Sequence, residues 1–155
     1  MDLYRLERDL IRDEGFKVKP YRCTSGHWTI GVGHKMLPLE IESVKELTSD
    51  EIFALLANDV RLAIAGCYQI FGRNRFERMD DCRQRALANM CFQLGIAGLA
   101  KFERMIAAIF NEDWQNASKE ALDSKWAKHD SPARAKRVAD MLRTGCNDRY
   151  IRHSA

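Results

Sequence analysis

Apolar residues Leu3, Leu6, Leu10 and Ile11 recur at helical spacing near the start of the chain, and Gly15 supplies a stop. The pattern predicts a helix over residues 3–13. The period then changes: Phe16, Val18, Tyr21, Trp28, Ile30 and Val32 alternate with polar residues and glycines, and Thr24-Ser25-Gly26 offers a turn. This stretch, residues 16–34, reads as a small antiparallel sheet. From Pro38 to Leu47 the chain reads as a loop or short turn. Thr48 or Ser49 then caps a long helix ending near Gly72, with Asp50 and Glu51 in its first turn. Ile52, Leu55, Leu56, Val60, Ala63, Ile64 and Cys67 line one face of it. Asp80 or Asp81 caps the next helix, which holds Ala86, Leu87, Met90, Cys91 and Leu94 and ends at Gly95. Further helices fit residues 98–111, 113–122 and 132–143, the last opened by Ser131-Pro132 and closed by Gly145. The implied fold is α+β and mainly helical. A small antiparallel sheet lobe, roughly residues 12–60, is joined by one long helix to a helical lobe of residues 61–155 plus 1–11. A cleft between two such lobes is a usual place for a ligand.

Composition narrows the class. The chain has 155 residues, 46% hydrophobic, enough for one domain with a sizeable core. Residues 1–60 carry eight Lys/Arg against eleven Asp/Glu, and residues 61–155 carry seventeen against eleven. A basic C-terminal half points to a polyanionic partner without choosing between nucleic acid, anionic lipid and cell wall. No helix-turn-helix pattern or aromatic–basic interleaving supports nucleic acid. The five cysteines, at 23, 67, 82, 91 and 146, are odd in number and scattered. That argues against a disulfide framework and for a reducing compartment, and without a CxxC pair no zinc site is expected. No signal-peptide pattern and no membrane-length apolar run is present.

The chemistry concentrates in Asp13-Glu14-Gly15, Tyr21-Arg22-Cys23-Thr24 and Trp28-Thr29-Ile30-Gly31-Val32-Gly33-His34. One carboxylic acid ends a helix, and one thiol and one hydroxyl follow on the sheet. An acid opposite a pair that can handle water is what glycoside hydrolysis requires. A second block runs from about Arg83 to Tyr150. It contains Asn89-Met90-Cys91-Phe92-Gln93-Leu94-Gly95, Lys125-Trp126, Pro132-Ala133-Arg134-Ala135-Lys136-Arg137-Val138 and Arg143-Thr144-Gly145. In order and spacing the two blocks, about two-thirds of the chain, resemble the lysozymes (endolysins) of T-even-type bacteriophages.

The resemblance implies a lysozyme-like fold. It also implies hydrolysis of the β-1,4 bond between N-acetylmuramic acid and N-acetylglucosamine in peptidoglycan, causing lysis of the host cell. Glu14 would protonate the leaving oxygen, because a sugar alkoxide departs poorly from an oxocarbenium-like transition state. The helix C-terminus would favour the protonated acid and the matching Arg134 the carboxylate, the two offsetting near neutral pH. Cys23 stands where the best-known members carry aspartate. A free thiol is mostly neutral at pH 7. Cys23 could position water with Thr29 while a small thiolate fraction acts as base, or it could attack carbon itself. Water activation with inversion is the favoured expectation. Phe92 and Gln93 match positions of the cleft wall and would contact glycan. His34 and Asp59 would form a structural ion pair, and Asn89 would bond buried groups near Arg134. Lys35 stands where the family has an apolar residue, and the loop after it is shorter, leaving that edge of the cleft more open. No cofactor or metal is implied. The protein is expected as a monomer without stable membrane association. It would accumulate in the host cytoplasm until a separate holin gives access to the wall.

Plainer readings stand beside these. Taken alone, Glu14 is a solvated helix-end residue, Cys23 a half-buried small hydrophobe and Thr29 an ordinary strand residue. Cys67, Cys82 and Cys91 read as core, Cys146 as exposed, and Trp114 and Trp126 as packing anchors. Lys136, Arg137, Arg143, Arg149 and Arg152 read as a solvated face or a hold on the anionic wall. Three rival functions remain: a Cys–His amidase or peptidase using Cys23 with His27 or His34, a non-catalytic wall binder, and a lytic transglycosylase.

Overall fold

The computed structural model describes residues 1–146. Arg149, Tyr150 and Arg152 lie outside the described residues. The chain divides into two compact units, Leu3–Leu62 and Met1–Asp2 with Ala63–Ala155. The sequence reading gives residues 1–11 to the helical lobe. The structure instead groups the first helix with the sheet, into which it runs directly through Gly15 and Phe16.

In the first unit, α1 (Leu3–Glu14) is followed by β1 (Lys17–Arg22), β2 (Trp28–Gly31) and β3 (His34–Lys35). The three strands form one antiparallel sheet in the order β1-β2-β3. Tyr21 faces Thr29, Arg22 faces Trp28, and Ile30 faces His34 across the ladders. Leu6, Leu10, Ile30, Val32, Ile52, Leu56 and Val60 are buried. Each such side chain contributes about 1.5–3 kcal/mol on leaving water. The stretch expected as loop contains a short helix, α2 (Pro38–Ser43), with no buried residue. Proline at its first position and a Glu40 carboxylate accepting from Leu37 N–H (2.9 Å) support it in place of an apolar face.

Helix α3 (Ser49–Phe71) begins in the first unit and ends in the second. A reciprocal cap opens it: Thr48 N–H donates to the Glu51 carboxylate (3.0 Å) and Glu51 N–H to the Thr48 hydroxyl (3.2 Å).

The second unit continues with α4 (Arg73–Arg78), α5 (Asp81–Ala100), α6 (Glu103–Phe110), α7 (Trp114–Leu122), a wide turn at Trp126–Asp130 and α8 (Pro132–Thr144). The core gathers Phe71, Phe76, Leu87, Met90, Leu99, Met105 and Ile109 around buried Trp126 and Val138. Trp126 meets Phe102 edge-to-face, 5.9 Å between centroids, which is the packing role expected of it. Gly95, at φ 72°, breaks α5, but helix resumes beyond it instead of ending there. Cys82 and Cys146 are joined in a disulfide, with Cα atoms 5.6 Å apart. Counting cysteines argued against a disulfide framework and did not anticipate this bond, and Cys146 is half-buried where exposure was expected. Sixty-four residues separate the pair, so only the packing of α8 on the start of α5 brings them together.

Candidate active site

Glu14 is the last residue of α1, and the chain leaves the helix through Gly15 at φ 79°. Its carboxyl group lies against the backbone of Gly33. A Cβ built on Gly33 would stand 2.6 Å from Glu14 Cδ and 2.8 Å from Cγ. Gly33 also holds φ 62°, which side-chain-bearing residues rarely adopt. The Gly31-Val32-Gly33 turn therefore makes the space in which the acid sits.

Cys23 follows β1 and is half-buried. Its N–H donates to the His27 carbonyl (3.0 Å), and Gly26 N–H donates to the Cys23 carbonyl (2.9 Å). These bonds close the Thr24-Ser25-Gly26 turn expected from the sequence. The Ser25 hydroxyl lies 3.0 Å from Cys23 Sγ. Hydrogen bonding from Ser25 is the main cause holding the thiol down at about 7. Burial opposes it, and Thr29 and nearby backbone groups assist less. The sequence reading, which assumed an ordinary thiol, understated the thiolate population at neutral pH.

Thr29 is buried in β2 and donates to the His27 carbonyl (2.9 Å). Tyr21, opposite it on β1, joins the group. Burial first, then the negative charges of Glu14 and Cys23, push its phenol above the usual range. The sequence reading did not select Tyr21, Ser25 or Gly33. The glycine was visible in the motif, but what it makes room for was not.

His34 lies beside this group with both ring nitrogens engaged. Nδ1 is 2.7 Å from Asp59 and Nε2 is 3.2 Å from Glu40. The Asp59 hydrogen bond, partly offset by burial and helped by Glu40, raises His34 to about 8. An imidazolium donating to two carboxylates is held as a clamp and is poorly placed to act as a base toward Cys23. His27 is exposed. A groove of about 420 Å³ elsewhere in this unit is lined by Ile30, Glu40, Val44, Leu47 and Glu51. On its wall, Glu40 and Glu51 are committed to His34 and to helix caps.

The remaining expected residues lie in the second unit. Arg134 is buried and donates through Nε to Asn89 (2.8 Å). Arg143 is exposed and pairs with Asp140 at 3.4 Å. The Gln93 amide donates to the Ser131 hydroxyl (2.8 Å) and accepts from the Trp126 indole (2.9 Å). Phe92 packs against the helical core. Both therefore have structural duties that the sequence reading did not assign. Among the described residues no His/Cys/Asp/Glu cluster could hold a metal ion, and no helix is long and apolar enough to cross a membrane.

The family model described as phage lysozyme matches residues 12–143. Two proteins of Dictyostelium discoideum are similar along almost their whole length. Probable T4-type lysozyme 1 is 30% identical over 165 residues, covering 92% of this chain and 96% of the relative. Probable T4-type lysozyme 2 is 31% identical with the same coverage. The pre-baseplate central spike protein Gp5 of Enterobacteria phage T4 is 30% identical over 161 residues. That match takes in 91% of this chain but only 28% of the spike protein.

Proposed function

Since the chain belongs to the phage lysozyme family, we propose that it is a muramidase of the endolysin kind, with Glu14 as acid and Cys23 and Thr29 handling the attacking water. The family implies a lysozyme function, hence glycoside hydrolysis with peptidoglycan as substrate. The finer assignment is supported by one observation above the rest: Glu14, Cys23 and Thr29 belong to one compact unit, with the Glu14 carboxyl group against Gly33 in the turn that follows the Thr29 strand.

In the proposed step Glu14 gives its proton to the glycosidic oxygen as the C–O bond breaks. Water forms the new bond to the anomeric carbon and passes its proton to the Cys23 thiolate. Solvent exchange then restores both groups. Phe92 and Gln93 are proposed to meet glycan with the edges left free by their packing. Lysis of a host cell, a monomeric state, residence in the host cytoplasm and release through a holin belong to the same proposal. The relatives include amoebal lysozymes as well as a phage spike protein, so the biological setting is not fixed by likeness alone.

A Cys–His amidase built on His34 gains no support, because both of its ring nitrogens face carboxylates. Reducing-end release from purified peptidoglycan tests the proposal. The wild type releases reducing ends and Glu14→Gln loses at least about 100-fold. Equal release by both proteins would overturn the assignment of Glu14. Wall solubilised without reducing ends would point to amidase, peptidase or transglycosylase chemistry.

A further inference from the structure

Ser25 sits in the turn between β1 and β2, exposed to solvent and outside the sheet ladder. A serine is ordinary in such a turn. Yet its hydroxyl lies 3.0 Å from Cys23 Sγ, and the turn carrying it is fixed by two backbone hydrogen bonds and by Gly26 at φ 84°. The site's other hydroxyl, on Thr29, already donates to the His27 carbonyl (2.9 Å). A hydroxyl carries one proton, so Thr29 is the weaker donor to sulfur in this geometry and Ser25 the stronger.

We propose that Ser25 is a positioning residue for the reaction: donating from a fixed turn, it keeps Cys23 as a thiolate in one orientation, ready to take the proton of the attacking water. The inference rests on the reading of Cys23 as the residue that handles water. In the step, the Ser25 O–H stays on oxygen throughout. The water proton moves to sulfur, water oxygen bonds to carbon, and the leaving oxygen takes the Glu14 proton. Charge-assisted hydrogen bonds of this kind favour the anion, so losing the donor shifts the thiol toward its ordinary range.

The test follows Cys23 alkylation by iodoacetamide against pH, read on the Cys23 peptide by mass spectrometry, beside the pH profile of kcat/KM on purified peptidoglycan. In the wild type both midpoints fall at about 7. In Ser25→Ala both move up by about one pH unit, and kcat/KM at pH 6 falls about tenfold at unchanged KM. Ser25→Thr, which keeps a hydroxyl, restores both midpoints. An unmoved alkylation midpoint in Ser25→Ala overturns the proposal, as does a moved midpoint without a matching change in the activity profile. If Cys23→Ala is as active as the wild type, the underlying reading of Cys23 fails. That outcome is told apart from failure of Ser25 alone, because the alkylation curve still reports the hydrogen bond.

Discussion

At Gly33 one missing side chain decides whether the acid has room. A methyl group there would press on the Glu14 carboxyl group and would require a positive φ. Gly33→Ala is therefore expected to lose about 1–2 kcal/mol of stability and at least tenfold in activity. Denaturant titration and reducing-end assays check this, and wild-type values in both would show that the acid does not depend on that space. The glycine could be read from the motif, whereas its purpose needed the third dimension. The same holds for Cys23. The sequence identifies the residue and its neighbours, but a thiol at about 7 depends on Ser25 folding back on it. Activity carried by the thiolate falls as pH drops through about 7.

Between elements, His34 on β3 is bonded to Asp59 on α3 and Glu40 on α2. Its affinity for a proton is raised by folding, so its contribution to stability is complete below about pH 6.5 and is lost as pH rises through about 8. The contribution is of order 1–2 kcal/mol. Urea titrations of the wild type and His34→Gln between pH 6 and 9 should show a gap that closes above pH 8, and a constant gap would contradict the clamp. Asp80 caps α5 by accepting from Arg83 N–H at 3.0 Å, so Asp80→Ala should cost about 1 kcal/mol in the same measurement. Helices with clear start and stop residues and apolar faces, such as α3 with its Thr48 cap and α8 between Pro132 and Gly145, were legible from the sequence. Helices α2 and α4 were not, being six residues each and too short for a periodic signal. At Gly95 the sequence signals a stop, and the helical stretch continues past it because Leu99 is buried.

For the whole molecule, the chain divides into two compact units, and α1 falls in the unit that holds the sheet. The Cys82–Cys146 link was illegible because counting cysteines says nothing about which distant pairs the helices bring together. Closing a segment of 64 residues should stabilise the helical unit by about 2–4 kcal/mol. Urea titration with and without dithiothreitol reads that difference, and identical curves would contradict it. The candidate site depended on the motif more than on pattern, since Glu14, Cys23 and Thr29 taken singly look ordinary. The central claim is that Cys23 passes water to the anomeric carbon from the face opposite Glu14. It is tested most directly by the configuration of the first-formed product from a defined β-linked glycan, followed by NMR before mutarotation. The α-anomer is the predicted result. The β-anomer would show retention and contradict direct attack by water.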